Sequence, residues 1–327
     1  MNRRMHLRYA VAFAILVGAC AQTETSGTAQ FGGTTMGTTY QVTYAVESRN
    51  KVVAKAAEEL LAEINRSLST YDKTSMISAI NGSADTAVWH PVDKHFAAVF
   101  RRSRQVYEDT GHVFNPAVGP LVNAWGFGPE DHDKSPDENT VRALLKVVRF
   151  EAFELQESPL AVRKTIADAK LDFSAIGEGY AIDSIGEMLE SHEVKDYLVE
   201  LGGEVRARGR TWKVGIERPE QDLKVVRITN ASLATSGTTH NFRIENGKKI
   251  AHILDPRTGY PAQNSLLSVS VLAKDTKTAD AYATALMVMG LEEGMRFVEA
   301  RPELDAYFAA IGVDGKIVEK QTAGFPE

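Results

Sequence analysis

The sequence predicts an α+β fold of two intimately packed lobes, built of mostly antiparallel sheet with flanking helices. Two patterns predict it. Five strand-like runs follow one another between Glu204 and Ala273, whereas the helical periodicities are grouped before and after them. Such grouping favours antiparallel sheet beside helices over a regular βαβ alternation. No internal repeat, low-complexity tract or long linker interrupts the chain after Phe31, which argues for one unit over residues 31–327. The composition permits a large core, since 43% of the 327 residues are hydrophobic and 24% are charged. With 37 Lys plus Arg against 43 Asp plus Glu, the formal charge is −6. The basic excess that binding to a phosphate backbone demands is missing, which argues against a nucleic-acid partner.

The first residues address the chain. Arg3, Arg4 and Arg8 precede an uncharged apolar run over residues 9–17, followed by Gly18, Ala19 and Cys20, the layout of a secretory signal. The run is about half the ~20 residues that a helix needs to cross the hydrocarbon core, so cleavage is expected instead of a permanent spanning anchor. Val17-Gly18-Ala19-Cys20 resembles a bacterial lipobox, in which the cysteine is lipidated and becomes the new N-terminus. Cys20 is the sole cysteine, and an unpaired exposed thiol in an oxidising compartment is a liability that modification removes. The expectation is a signal peptide over residues 1–19, lipidation at Cys20 and a flexible polar tether over residues 20–30. The protein would then sit on the periplasmic face of the bacterial inner membrane. No further thiol is left for a disulfide, a zinc-thiolate site or a cysteine nucleophile.

Taken in order, residues 38–46 are rich in β-branched and aromatic side chains and read as a strand. Val53, Ala57, Leu60, Ile64 and Leu68 then recur at helical spacing, and Phe96, Phe100, Ser103 and Tyr107 mark a second such face. Ser135-Pro136-Asp137-Glu138 reads as a capping box with proline at the first helical position, opening a third helix that runs through Val148. Short β-favouring pieces fill residues 150–173. A helix follows with the face Ala181, Ile185, Met188 and Leu189, then a strand-like run over residues 197–201. The five strands, at residues 204–208, 211–216, 225–229, 241–245 and 266–273, lead to two helices and a hairpin around Val313-Asp314-Gly315-Lys316.

No P-loop, HExxH, GxSxG or EF-hand pattern occurs. Gly177-Glu178-Gly179, with Glu200 further on, imitates a dinucleotide fingerprint. Ile182 stands where the third glycine belongs, and the preceding Leu171-Asp172-Phe173 is too short and polar for a buried parallel strand. Asp280 and Thr284 lie one turn apart on a helix expected to begin near Thr278 and share a face. A carboxylate and a hydroxyl so placed can offer two hard oxygen ligands to Mg²⁺, or can be a dipole-favoured acid and a helix filler. Residues 251–261 pack His252, Asp255, Arg257 and two prolines into a turn. Histidine is suited to deprotonating a hydroxyl near neutral pH. The same stretch reads equally as an ordinary turn in which Asp255 bonds its own backbone. The small, threonine-rich residues 32–37 and 235–239 can bring backbone amides to a phosphate or be plain turns.

The strings GTTMGTTY from Gly33, STYD from Ser69, FNPAVGPLVNAWGFGP from Phe114 and DFSAIGEGYAID from Asp172 are followed by LGGEV from Leu201. ATSGT from Ala234, HILDPRTGYP from His252 and TADAYATAL from Thr278 complete the series. In that order they resemble the ApbE family of FAD:protein FMN transferases, bacterial periplasmic lipoproteins that attach FMN covalently to partner proteins. The likeness spans residues 31–291 and agrees with the lipobox. It implies an ApbE-like, T-fold-like architecture with FAD in a cleft between lobes. Met36 and Tyr71 would lie near the flavin, Val113, Phe114 and Asn115 would line the pocket, and Asp172 and Leu254 would contact FAD. For Mg²⁺ it implies the carbonyl of Ala175 with the side chains of Asp280 and Thr284, Ala283 lying close by, and it makes His252 the candidate base.

The implied reaction moves FMN from FAD to a threonine hydroxyl of an acceptor protein, a membrane redox subunit, and releases AMP. A lipid tether would raise the effective concentration of enzyme and acceptor. This chain departs from the family's pattern at Glu178, where lysine is usual, and at Lys73 and Met76 of the STYD segment. Reversing a charge at Glu178 alters whatever phosphate or flavin contact that position makes. With water in place of threonine the same site would be an FAD pyrophosphatase, and with turnover disabled at Glu178 it would be a non-catalytic FAD-binding lipoprotein.

Overall fold

The computed structural model describes residues 27–45, 53–130, 134–219, 221–239, 242–245 and 247–327. The expected signal peptide and Cys20 lie outside the described residues. The chain opens with β1 (Thr28–Thr35), β2 (Thr38–Ala45), α1 (Val53–Leu68), α2 (Met76–Gly82), β3 (His90–Pro91), α3 (Lys94–Asp109), α4 (Gly119–Ala124) and α5 (Glu138–Leu144). Next come β4 (Phe153–Glu157), β5 (Leu160–Lys164), α6 (Ser174–Ser191), β6 (Tyr197–Leu201), β7 (Glu204–Arg208), β8 (Trp212–Ile216), β9 (Lys224–Ile228) and β10 (Ser232–Gly237). Two short hairpins follow, β11 (Phe242–Glu245) with β12 (Lys248–Ala251) and β13 (Leu254–Asp255) with β14 (Tyr260–Pro261). The remainder is β15 (Leu266–Ala273), α7 (Thr276–Met289), α8 (Leu291–Glu299), β16 (Asp305–Ile311) and β17 (Ile317–Gln321).

Eight strands form one sheet in the order β1-β2-β6-β7-β10-β15-β16-β17, and every neighbouring pair in it is antiparallel. The α+β expectation of antiparallel sheet with flanking helices is met. Both faces of the sheet are covered, which β16 displays directly. Ala306, Phe308 and Ala310 enter the main core with the helices, while Tyr307 and Ala309 enter a second cluster under the β8–β9 hairpin. Successive strand side chains point to opposite faces, so one strand feeds two cores.

The helices bury the stripes that their spacing predicted. Val53, Ala57, Ile64 and Leu68 of α1 are buried, with Leu61 joining them and Leu60 at the margin. Asp93 caps α3 by accepting from Phe96 N at 2.8 Å, and Phe96, Phe100, Ser103 and Tyr107 all face inward. The Phe100 ring lies 4.9 Å from that of Phe150. Removing an aromatic side chain so packed costs about 3–5 kcal/mol. Among the described residues no helix is long and apolar enough to cross a membrane.

Three expectations are corrected. β1 begins at Thr28, whose partner is Ala45, so the last residues of the stretch read as a tether belong to an edge strand. Small polar residues hid it because an edge strand needs little apolar surface. The third helix is capped by Asp137, which accepts from Thr140 N at 2.8 Å, and it ends at Leu144. Ser135 instead bonds Glu245 and Arg243, so proline precedes the cap. Thr235-Ser236-Gly237, read as part of a loop, lies in the central strand β10, between β7 and β15.

Candidate active site

Helices α6 and α7 meet at a glycine. A Cβ at Gly179 would come within 2.6 Å of Thr276 O and 2.8 Å of Lys277 N, so only glycine admits this approach. The Gly179 amide donates to Asp280 Oδ2 at 3.1 Å. In an α-helix that amide also points at the carbonyl four residues back, that of Ala175. The Asp280 carboxylate and the Ala175 carbonyl therefore converge on one N–H. Thr284 stands one turn beyond Asp280, its Oγ1 3.1 Å from Ser236 Oγ of β10. Ala283 is fully buried in the main core. The dinucleotide-like Gly177-Glu178-Gly179 lies inside α6, with no strand before it.

Acids gather at this contact. Burial, followed by the charge of Glu178, pushes the Asp280 carboxyl up to about 8, and burial pushes Glu178 up to about 7. Glu204, at the start of β7, sits across Gly202 from Glu178. Burial and then the charges of Glu178 and Asp280 raise it well above the carboxylate range. Glu178 and Glu204 share a side-chain hydrogen bond there, which needs a proton on one of the two carboxyls. Glu204 and Ser236 escaped the reading of isolated residues; strand alternation, which turns both toward the helices, was the signal that could have found them.

Apart from Met36 and Leu254, the other candidates form two groups. Met36 and Gly37 make the two-residue turn between β1 and β2, with φ of 51° and 81°, the left-handed pair of a type I′ hairpin. A methionine seldom adopts that conformation, and here its side chain packs against the main core. Tyr71, 63% exposed, donates its hydroxyl to Phe127 O at 3.0 Å. The Phe127 ring meets the His252 ring edge-on, with centroids 6.3 Å apart. Residues far apart in sequence thus come together as Tyr71, Phe127 and His252.

The second group adjoins the start of α6. Val113 and Phe114 bury their side chains in the main core. Asn115 Oδ1 accepts from Ala117 N at 2.9 Å, and Asn115 Nδ2 donates to Val148 O at 3.3 Å. Asp172 donates its amide to Pro116 O at 2.8 Å, while its Oδ1 accepts from Ser174 N at 2.8 Å and from the Ser174 hydroxyl. Residues 114–116 are in this way tied to the first turn of α6, next to Ala175. Leu254 is buried with Trp125, Leu121, Val141 and Val148. Arg257 grips Asp255 with two bonds, at 3.0 and 2.9 Å. Gly259 N donates to Asp255 O at 2.8 Å, so the turn reading of this stretch holds.

The profile of the ApbE family matches residues 36–308. The chain belongs to the ApbE family. Every candidate residue from Met36 to Thr284 falls within the family match, and Cys20 falls outside it. A protein of Haemophilus influenzae named FAD:protein FMN transferase is 32% identical over 97% of this chain and 95% of its own length. One of the same name from Vibrio cholerae is 34% identical over 82% of this chain and 83% of its own. The structure of a flavin transferase ApbE from Vibrio cholerae superposes with a TM-score of 0.83 at 31% identity, covering 91% of this chain and 98% of that one. The Pseudomonas stutzeri flavinyl transferase ApbE gives 0.83 at 30% identity, covering 94% and 97%.

Proposed function

We propose that the chain is a Mg²⁺-dependent FAD:protein FMN transferase, which moves FMN from FAD to a threonine hydroxyl of an acceptor protein and releases AMP. The observation that carries this reading is the contact of Asp280 with the Gly179 amide where α6 and α7 meet, one turn from Ala175 on α6 and one turn from Thr284 on α7, in a chain of the ApbE family. A carboxylate, a hydroxyl and a carbonyl are the hard oxygen donors that suit Mg²⁺. Beside them, burial raises the carboxyls of Glu178 and Glu204, a gathering of acids that a cation would relieve. Among the described residues no three His, Cys, Asp or Glu side chains form a metal cage, so phosphate oxygens and water would complete the coordination. Mg²⁺ held by these residues would supply Lewis acidity and neutralise pyrophosphate charge.

The chain's own groups do the rest. Tyr71, held through its hydroxyl yet widely exposed, offers an aromatic face to the flavin. Asn115 and Asp172 position the FAD next to the α6 turn. His252 takes the proton of the acceptor threonine as its oxygen attacks the FMN phosphorus. A phosphorus–oxygen bond to threonine forms, the pyrophosphate bond breaks, and AMP departs with the electron pair. Glu178, where the family's pattern has lysine, adds a further buried acid beside Asp280. A lipidated Cys20 would hold the enzyme at the periplasmic face of the inner membrane, beside a membrane redox subunit that carries the acceptor threonine.

The test incubates the full chain with FAD, Mg²⁺ and a threonine-bearing acceptor domain and weighs the acceptor by intact-mass spectrometry. The expected product is an acceptor carrying one FMN phosphoester, formed only with metal and with Asp280 intact. Free FMN accumulating without acceptor modification would replace this reading with FAD pyrophosphatase. FAD bound and unchanged would leave a flavin-binding lipoprotein.

A further inference from the structure

Asp183 lies one turn beyond Gly179 on α6 and is 1% exposed. Its carboxylate faces the start of α7, where the first amides of a helix have no partner within it. Asp183 Oδ1 accepts from Thr276 N at 2.9 Å, and Oδ2 accepts from Lys277 N at 3.0 Å. The helix's own cap, Asp275, takes the next amide, that of Thr278, at 3.1 Å. A side chain of one helix thus caps the other. Arg206 Nη1, at 2.9 Å, and Lys277 Nζ, at 3.1 Å, satisfy the remaining capacity of the carboxylate and compensate its charge.

Ala175, Gly179 and Asp183 recur every four residues and form one stripe of α6. Facing it in the opposite direction run Thr276, Asp280 and Thr284 of α7. The Ala175 carbonyl and the Asp280 carboxylate come from different helices, so their separation depends on the register between those helices. The strand β10 holds the same face of α7 at two points, through Ser232 Oγ to Thr276 Oγ1 at 3.0 Å and Ser236 Oγ to Thr284 Oγ1 at 3.1 Å.

We propose that Asp183 is a positioning residue that sets the register of α7 on α6 and, through it, the geometry of the Ala175, Asp280 and Thr284 oxygens. The inference rests on the metal-site reading above. Asp183 does not contact the cation; it acts by holding two backbone amides of the neighbouring helix.

The test titrates the metal-free full chain with Mn²⁺ alone and follows free Mn²⁺ by electron paramagnetic resonance. Asp280→Ala serves as the marker of the site. Asp183→Ala is expected to weaken Mn²⁺ binding about tenfold or more, the usual effect of removing a group that orients a ligand. Asp183→Asn, which keeps one acceptor oxygen, recovers part of the loss and serves where the alanine variant does not fold. Val214→Ala, in the cluster on the far side of the sheet, lowers thermal stability and leaves Mn²⁺ affinity as in the parent. Wild-type affinity in both Asp183 variants, with Asp280→Ala impaired, overturns the positioning role and spares the metal site. An asparagine variant as weak as the alanine one makes charge the cause and overturns it too. Wild-type affinity in Asp280→Ala overturns the metal-site reading itself.

Discussion

The amide of Gly179 on α6 donates to Oδ2 of Asp280 on α7 at 3.1 Å, across a contact with no room for a side chain at position 179. Two helices distant in sequence are joined there by a backbone donor and a carboxylate. That contact ties Asp280 to the turn of α6 that begins at Ala175, while Thr284, one turn along α7, bonds Ser236 of β10.

Gly179→Ala drives a methyl group into the backbone of Thr276 and Lys277. Neither neighbour can swing away as a flexible side chain can. The expected loss is about 1–3 kcal/mol of stability, the range of overpacked contacts, together with a fall in transfer rate at subsaturating Mg²⁺. Thermal melts and Mg²⁺ titrations of activity check both. A variant with unchanged melting and unchanged Mg²⁺ dependence would refute the close approach.

Asp280→Asn keeps the shape and an acceptor for the Gly179 amide but removes a buried acid beside Glu178. In chelator the variant is expected to melt a few degrees higher than the parent, because a buried carboxyl among like charges disfavours the folded state. Transfer is expected to fall at least about a hundredfold, the metal having lost its charged ligand. Lower stability in chelator would mean that the carboxylate is compensated in a way the structure does not hold.

Lys164 is fully buried, and its Nζ donates to Asn81 O at 2.9 Å and Ala169 O at 3.2 Å. Burial, then the charge of Lys170, pushes it down to about 8 from 10.5. Between those two values the unfolded chain binds more protons at this residue than the folded chain. The contribution of Lys164 to stability therefore rises as pH climbs from 8 to 10.5. Urea denaturation at the two ends of that window is expected to show the rise in the parent and a smaller one in Lys164→Met. Equal pH dependence in both proteins would contradict the shift.

His252→Ala removes the candidate base and leaves Tyr71 bonded to Phe127 O. FAD affinity, read from flavin fluorescence, is expected to stay within a few-fold of the parent. The transfer rate is expected to drop by about 10²–10⁴, the range of a positioned general base. An equal drop in FAD affinity would assign His252 to binding instead of proton transfer.

The sequence by itself determined the class of the fold and most of its regular elements. The stripes of α1 and α3 and the runs of β6, β7 and β15 are local patterns, because burial on one face imposes a period of 3.6 or 2 on the residues themselves. It also carried the family motifs, so Asp280, Thr284 and His252 stood out before any contact was known. It misread β10, a short central strand whose small hydroxyl residues look like a loop, and β1, an edge strand that needs little apolar surface. It chose Ser135 as a helix cap where Asp137, two residues on, holds the amide. Only the tertiary structure decided what each buried face lies against. Asp183 capping α7, Gly179 meeting Asp280, Ser236 touching Thr284 and Phe127 joining Tyr71 to His252 are pairings between distant segments. Periodicity records that a face is buried, whereas the identity of its partner follows from how the sheet orders its strands and how closely two helices can approach.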